Sequence, residues 1–117
     1  MGEKTILTEE WVLERASLHD AFAISVQHLA NNLVIEIDDQ WACLQSSSEN
    51  HSPSAGSLIF EGATIQIGNV EEASGRFINE LIFEDKRWQL FLARKSLFGP
   101  RGLLAFHANT AFFQANQ

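Results

Sequence analysis

The pair in this chain best suited to chemistry is His19-Asp20, since a carboxylate can orient an imidazole for general-base work. On extended backbone, however, adjacent side chains point to opposite faces, so these two do not readily pair with each other. The plainer reading puts both at a helix-to-strand corner, where they hydrogen-bond exposed backbone groups. His28, His51 and His107 complete the histidines. No two stand at a metal-ligand spacing such as H-x-x-x-H, and Cys43 is isolated from all of them. Neither a metal site nor a cofactor is therefore expected. Cys43 has Asp38 and Asp39 nearby and no base beside it. Such neighbours disfavour the thiolate, which a nucleophilic cysteine needs. The serines form no G-x-S-x-G elbow, and neither a phosphate loop nor G-x-G-x-x-G is present. No catalytic residue is assigned, and the balance leans away from an enzyme.

Charge is more informative. The 117 residues carry 8 Lys+Arg against 15 Asp+Glu, a formal charge of −7. That balance argues against nonspecific binding to nucleic acid or to an anionic membrane. All the acids lie within residues 1–85, whereas residues 86–117 hold Lys86, Arg87, Arg94, Lys95 and Arg101 and no acid. One reading pairs the basic third with neighbouring acidic strands into a mixed, soluble surface. The other is a dipolar molecule whose acidic side meets a basic partner, with Glu36, Asp38 and Asp39, and with Glu9, Glu10 and Glu14, as candidates for that side. The basic run from Arg94 to Gly102 could hold an anion in its turn. The preferred reading is a hairpin loop whose Leu97 and Phe98 cap the core.

Elements must position these residues. Thr8 followed by Glu9 and Glu10 predicts a capped helix start. Trp11, Val12 and Arg15 then give one short turn-and-a-half with an apolar side, ending near Ser17. From Asp20 the period becomes two, with Phe22, Ile24, Val26 and His28 on one face and Ala21, Ala23, Ser25 and Gln27 on the other. Ala30-Asn31-Asn32 predicts a turn through asparagine's tolerance of positive φ, and Leu33, Ile35 and Ile37 then alternate with Val34, Glu36 and Asp38. Together these form a β-hairpin. Residues 46–57 have a loop's composition and are expected to be mobile. A strand over Leu58–Ile67 with a bulge near Glu61-Gly62 follows, then an irregular connection from Asn69 to Arg76. A second hairpin joins Ile78–Phe83 to Trp88–Ala93, and a last strand runs from Leu103 to Phe113, with Leu104 and Phe106 facing opposite His107 and Asn109. Trp41, Trp88 and Phe98 are expected as core or rim residues.

The sum is a single α+β, mostly β domain over residues 1–117. About six largely antiparallel strands form a curved sheet or partly closed barrel with one short N-terminal helix. Crossover helices are missing from the pattern, so a doubly wound α/β fold is excluded. One cysteine permits no intrachain disulfide, and the start carries no basic-then-apolar leader. No window approaches the ~18 apolar residues of a membrane helix, so the cytoplasm is the expected compartment.

Leu18-His19-Asp20-Ala21, the hairpin ending at Asp38, the strand Leu58-Ile59-Phe60-Glu61-Gly62 and the later two-stranded pair follow one another in an order that resembles small bacterial proteins with a "His-Asp-Ala" strand start. Several similar families are described as immunity proteins of contact-dependent or polymorphic toxin systems. The resemblance supplies no catalytic residues to carry over. What it implies, together with the charge, is a non-enzymatic protein-binding module: an immunity-type inhibitor that covers a basic, toxin-like partner, steered by Glu36, Asp38 and Asp39. Two alternatives are kept. One is a small-molecule binder or enzyme with a pocket between sheet and helix, its polar residues His19, Asp20 and Arg94. The other is a homo-oligomeric subunit pairing through the exposed edge of the Leu103–Phe113 strand.

Overall fold

A computed structural model describes residues 4–14, 18–19, 21–38 and 55–115. Asp20, Asp39, Trp41, Cys43 and His51, and all but the last three residues of the expected loop at 46–57, lie outside them. Strand β1 (Lys4–Ile6) leads into helix α1 (Glu9–Glu14), followed by β2 (Phe22–Leu29), β3 (Asn32–Asp38), β4 (Ala55–Glu61) and β5 (Thr64–Ile67). A 3₁₀ turn (Val70–Glu72) precedes β6 (Arg76–Glu84), β7 (Arg87–Leu92), β8 (Gly102–His107) and β9 (Thr110–Ala115). All pairings are antiparallel, and one open sheet runs β1-β9-β4-β3-β2-β6-β7-β8-β5.

The expected mostly β class with one short helix is present, but the strands among the described residues number nine rather than about six, and the sheet does not close. Three changes account for the difference. β1 is a short strand against β9 that the sequence pattern does not announce. The expected strand at 58–67 is two strands with no common partner, since β4 pairs with β3 and β9 while β5 pairs with β8. The chain crosses between them at Gly62, whose φ of 66° is the left-handed conformation glycine tolerates without strain. The expected strand at 103–113 likewise breaks at Ala108-Asn109 into β8 and β9, on opposite sides of the sheet. β8 and β9 both lie inside the sheet, so the expected exposed edge at 103–113 is not one. The edges among the described residues are β1 and β5, of three and four residues, too short to offer much of a pairing template. Residues 55–57, expected in the loop, begin β4.

Among the described residues, the sheet's two halves, β1-β9-β4-β3-β2 and β6-β7-β8-β5, are joined in the strand ladder by two residue pairs, Phe22↔Phe77 and Ala23↔Arg76. About this narrow seam one half folds over the other. Phe60 of β4 meets Phe106 of β8 and Trp88 of β7 edge-on, with ring centroids 4.7 and 5.3 Å apart. Around them the inward rows of both halves, Leu33, Ile35, Ile37 and Leu58 against Leu81, Leu90 and Leu104, are fully buried. Leu33, Ile35 and Ile37 sit where their alternation places them, and Leu104 and Phe106 are buried while His107 and Asn109 are exposed.

Helix α1 spans only six residues, too few to persist on propensity alone. The Thr8 hydroxyl accepts the Trp11 N–H at 3.0 Å, as the expected cap should. Burial of Trp11 and Val12 does the rest, with the Trp11 ring 5.1 Å from Phe113 of β9. In the β2–β3 hairpin the positive φ falls on Ala30 (50°) rather than on an asparagine. The faces of β2 also differ from a plain alternation. A register shift between Ala23 and Ser25 makes Ile24 a bulge, so Ala23 and Val26 both point inward and Ile24 is 43% exposed. The second hairpin forms as expected, closed by Asp85-Lys86 with both residues at positive φ (55° and 63°). Trp88 is core, as expected. Leu97 and Phe98 do not cap the core: they are 79% and 93% exposed on the loop between β7 and β8.

Candidate functional site

Strand β3 presents Val34, Glu36 and Asp38 on the side opposite its buried Leu33, Ile35 and Ile37. Glu36 and Asp38 are two steps apart along extended chain, a Cα spacing of about 6.6 Å on one face. Both are half-buried, held in the interior of a five-strand half-sheet rather than on a loop. Glu36 stands opposite Ser25 on β2 and Ser57 on β4, and accepts a 3.4 Å hydrogen bond from the Ser25 hydroxyl. Asp38 stands opposite Phe22, which in turn stands opposite Phe77 of β6. The two phenyl rings meet edge-on at 4.9 Å. Phe77 is 54% exposed, and the bulged Ile24 lies next to this row.

The outcome is a patch across the seam of the sheet in which two carboxylates border exposed aromatic and aliphatic surface. Exposed apolar side chains grouped beside charge mark an interaction surface more often than a lone surface leucine does. The acids were legible in the sequence; Phe77 and Ile24 were not. Adjacent Phe77 and Ile78 did carry a signal, because on a strand one of the two must face out. The bulge that exposes Ile24 has no local signature.

The other predicted residues do not converge. His19 is exposed, and its Nδ1 donates to the Asn79 carbonyl on β6 at 2.8 Å. It lines a cavity of about 450 Å³ with Asn79, Glu80, Phe91 and Arg101. Arg94, proposed as its companion, is not on that wall. Its Nη1 donates to the Leu97 carbonyl within its own loop at 3.5 Å. His28 Nε2 donates to the Ala63 carbonyl at 3.2 Å and His107 Nδ1 to the Lys86 carbonyl at 2.8 Å, each bracing a chain crossing or turn. No group of three potential metal ligands gathers among the described residues.

Charge segregation in the sequence is partly undone by folding. Arg87 stands opposite Glu84 across the β6–β7 turn, which mixes signs there. Arg94, Lys95 and Arg101 remain together on the exposed β7–β8 loop. A cavity of about 400 Å³ between α1 and β6 has an apolar wall of Val12, Leu13, Leu81 and Phe83 with Glu9, Glu84 and Asp85 beside it; of the helix acids only Glu9 reaches it. Among the described residues, no helix is long and apolar enough to cross a membrane. No family model, curated protein or solved structure matches this chain.

Proposed function

We propose that this protein is a non-enzymatic binding module of the cytoplasm that docks a basic protein partner on the face formed by Glu36, Asp38, Phe22, Ile24 and Phe77. In the immunity-type reading, it inhibits that partner by covering its active surface. The observation that carries the proposal is the row Asp38–Phe22–Phe77, continuous across three strands, which joins predicted steering acids to exposed aromatic area. Acids of this kind speed encounter with a basic surface, and a partly exposed aromatic anchor supplies affinity once contact is made. A strand-borne site is also already ordered, so binding costs little conformational entropy. Asp39, next in sequence, belongs to the same reading. The mechanism calls on no metal and no cofactor.

The test is a split between rate and affinity. With a captured partner, Glu36→Lys/Asp38→Lys should slow association and flatten its salt dependence. Phe77→Ala should chiefly speed dissociation. An unchanged association rate for the reversed variant at low salt would remove these acids from the interface.

A further inference from the structure

We infer that the cleft between the 3₁₀ turn and the segment entering β8 binds a small oxyanion, a carboxylate or a phosphate, with Arg76 as its buried anchor and Arg101 at its rim. This site is separate from the docking face and does not depend on it.

Arg76 opens β6 at the same parity as Ile78, so its side chain is directed inward, and it is only 8% exposed. Its guanidinium carries five N–H donors in a planar fork. Nε donates to the Glu72 carbonyl at 2.9 Å, and Nη1 donates to the carbonyls of Ala93 and Pro100 at 3.4 and 3.3 Å. All three acceptors are neutral, and the two Nη1 contacts are long for N–H···O bonds. Among the described residues Nη2 has no acceptor, and the hydrogen bonds of Arg76 go to no carboxylate. A buried guanidinium held by neutral carbonyls alone keeps its charge and a free edge of its fork available to an anion.

The cavity beside it has the size and lining for one. It measures about 290 Å³ and its wall includes Asn69, Glu72, Arg76, Arg101 and Gly102. That is at the lower end for ligand pockets, enough for a phosphate or a small carboxylate and not for a nucleotide. At Gly102 a Cβ would stand 2.9 Å from Nη1 of Arg76, so glycine there lets the backbone approach the guanidinium closely. The Asn69 side-chain oxygen is engaged with the Glu71 N–H at 2.9 Å, which leaves its amide N–H groups as donors. Guanidinium and amide donors meeting in one small cleft match an oxyanion's acceptors, and the guanidinium fork does so in bidentate fashion. Glu72, an exposed residue that also lines the cleft, brings the nearby carboxylate that would compete with a bound anion.

The experiment is titration of the intact chain by calorimetry with sodium phosphate and, separately, sodium acetate and succinate, against sodium chloride at matched ionic strength. Saturable binding of phosphate or of a carboxylate is expected, and which of the two arms saturates identifies the ligand class. Arg101→Ala, a change at an exposed position, should weaken it about tenfold or more, and Arg76→Lys, which keeps charge but loses the fork, should weaken it further. Glu72→Gln should tighten it. Binding no stronger than chloride in the unmodified chain would overturn the proposal, as would binding that neither Arg101→Ala nor Glu72→Gln alters. Because the docking variant Phe77→Ala should titrate like the unmodified chain, failure here leaves the protein-binding reading untouched.

Discussion

Phe60→Ala is the perturbation that asks most of the folded-over sheet. The ring is fully buried and is the contact that ties β4, in one half, to Trp88 and Phe106 in the other. Truncating a buried phenylalanine costs about 3–5 kcal/mol, through lost transfer energy and the cavity left behind. Two edge-on aromatic pairs, each worth about 0.5–1.5 kcal/mol beyond area, place this site at the upper end of that range. A domain of 117 residues has a total stability of roughly 6–18 kcal/mol, so the variant should fold but melt roughly 10–20 °C lower. The internal control is Phe98→Ala, which deletes the same atoms from a ring that is 93% exposed. It should change stability by no more than about 0.5 kcal/mol. Urea denaturation of both variants, followed by tryptophan fluorescence, reads the difference directly. If Phe60→Ala costs within about 1 kcal/mol of Phe98→Ala, the two halves do not share a core through Phe60, and the packing argument fails.

Two further outcomes concern the turns that set the topology. Gly62→Ala should destabilise by about 1–2 kcal/mol in the same assay, because φ is 66° and the new methyl would sit 2.8 Å from Asn109 Cγ. Lys86→Gly should instead stabilise by about 0.5 kcal/mol, since it relieves a left-handed lysine in a two-residue hairpin turn at the cost of a more flexible unfolded chain. A loss of stability there would show that the lysine side chain contributes more than its backbone strain.

The parts of the fold readable from the sequence are those set by neighbours along the chain. Leu33, Ile35 and Ile37 repeat every second residue and are buried in that order, and the two hairpins join strands only two residues apart. What the pattern could not carry is set by distant pairing. β9 becomes an interior strand only because β4 and β1 come to it from about 50 to more than 100 residues away, and nothing within Leu103–Phe113 marks the break between β8 and β9. Ile24 follows the parity of Phe22 and Val26, yet one inserted residue turns it outward. Leu97 and Phe98 have a core's composition but sit on a loop tip, where no inward face is offered. Of the candidate site, Glu36 and Asp38 could be named from their alternation with buried isoleucines. Phe77 enters only through the seam between β2 and β6. Arg76 was readable as the end of a connection; its parity with Ile78 was the sign that it would be drawn inside.

The most direct test of the docking face is a paired capture from lysate of the source cell, with the unmodified chain and Asp38→Lys/Phe77→Ala as baits. Both should first be shown to melt alike, because both positions face outward. With washes at low and high salt and eluates identified by mass, the unmodified bait should hold one stoichiometric partner with a basic surface, released by salt and missing from the double variant. Equal recovery of that partner on both baits would place the interface elsewhere on the molecule and contradict the assignment of this face.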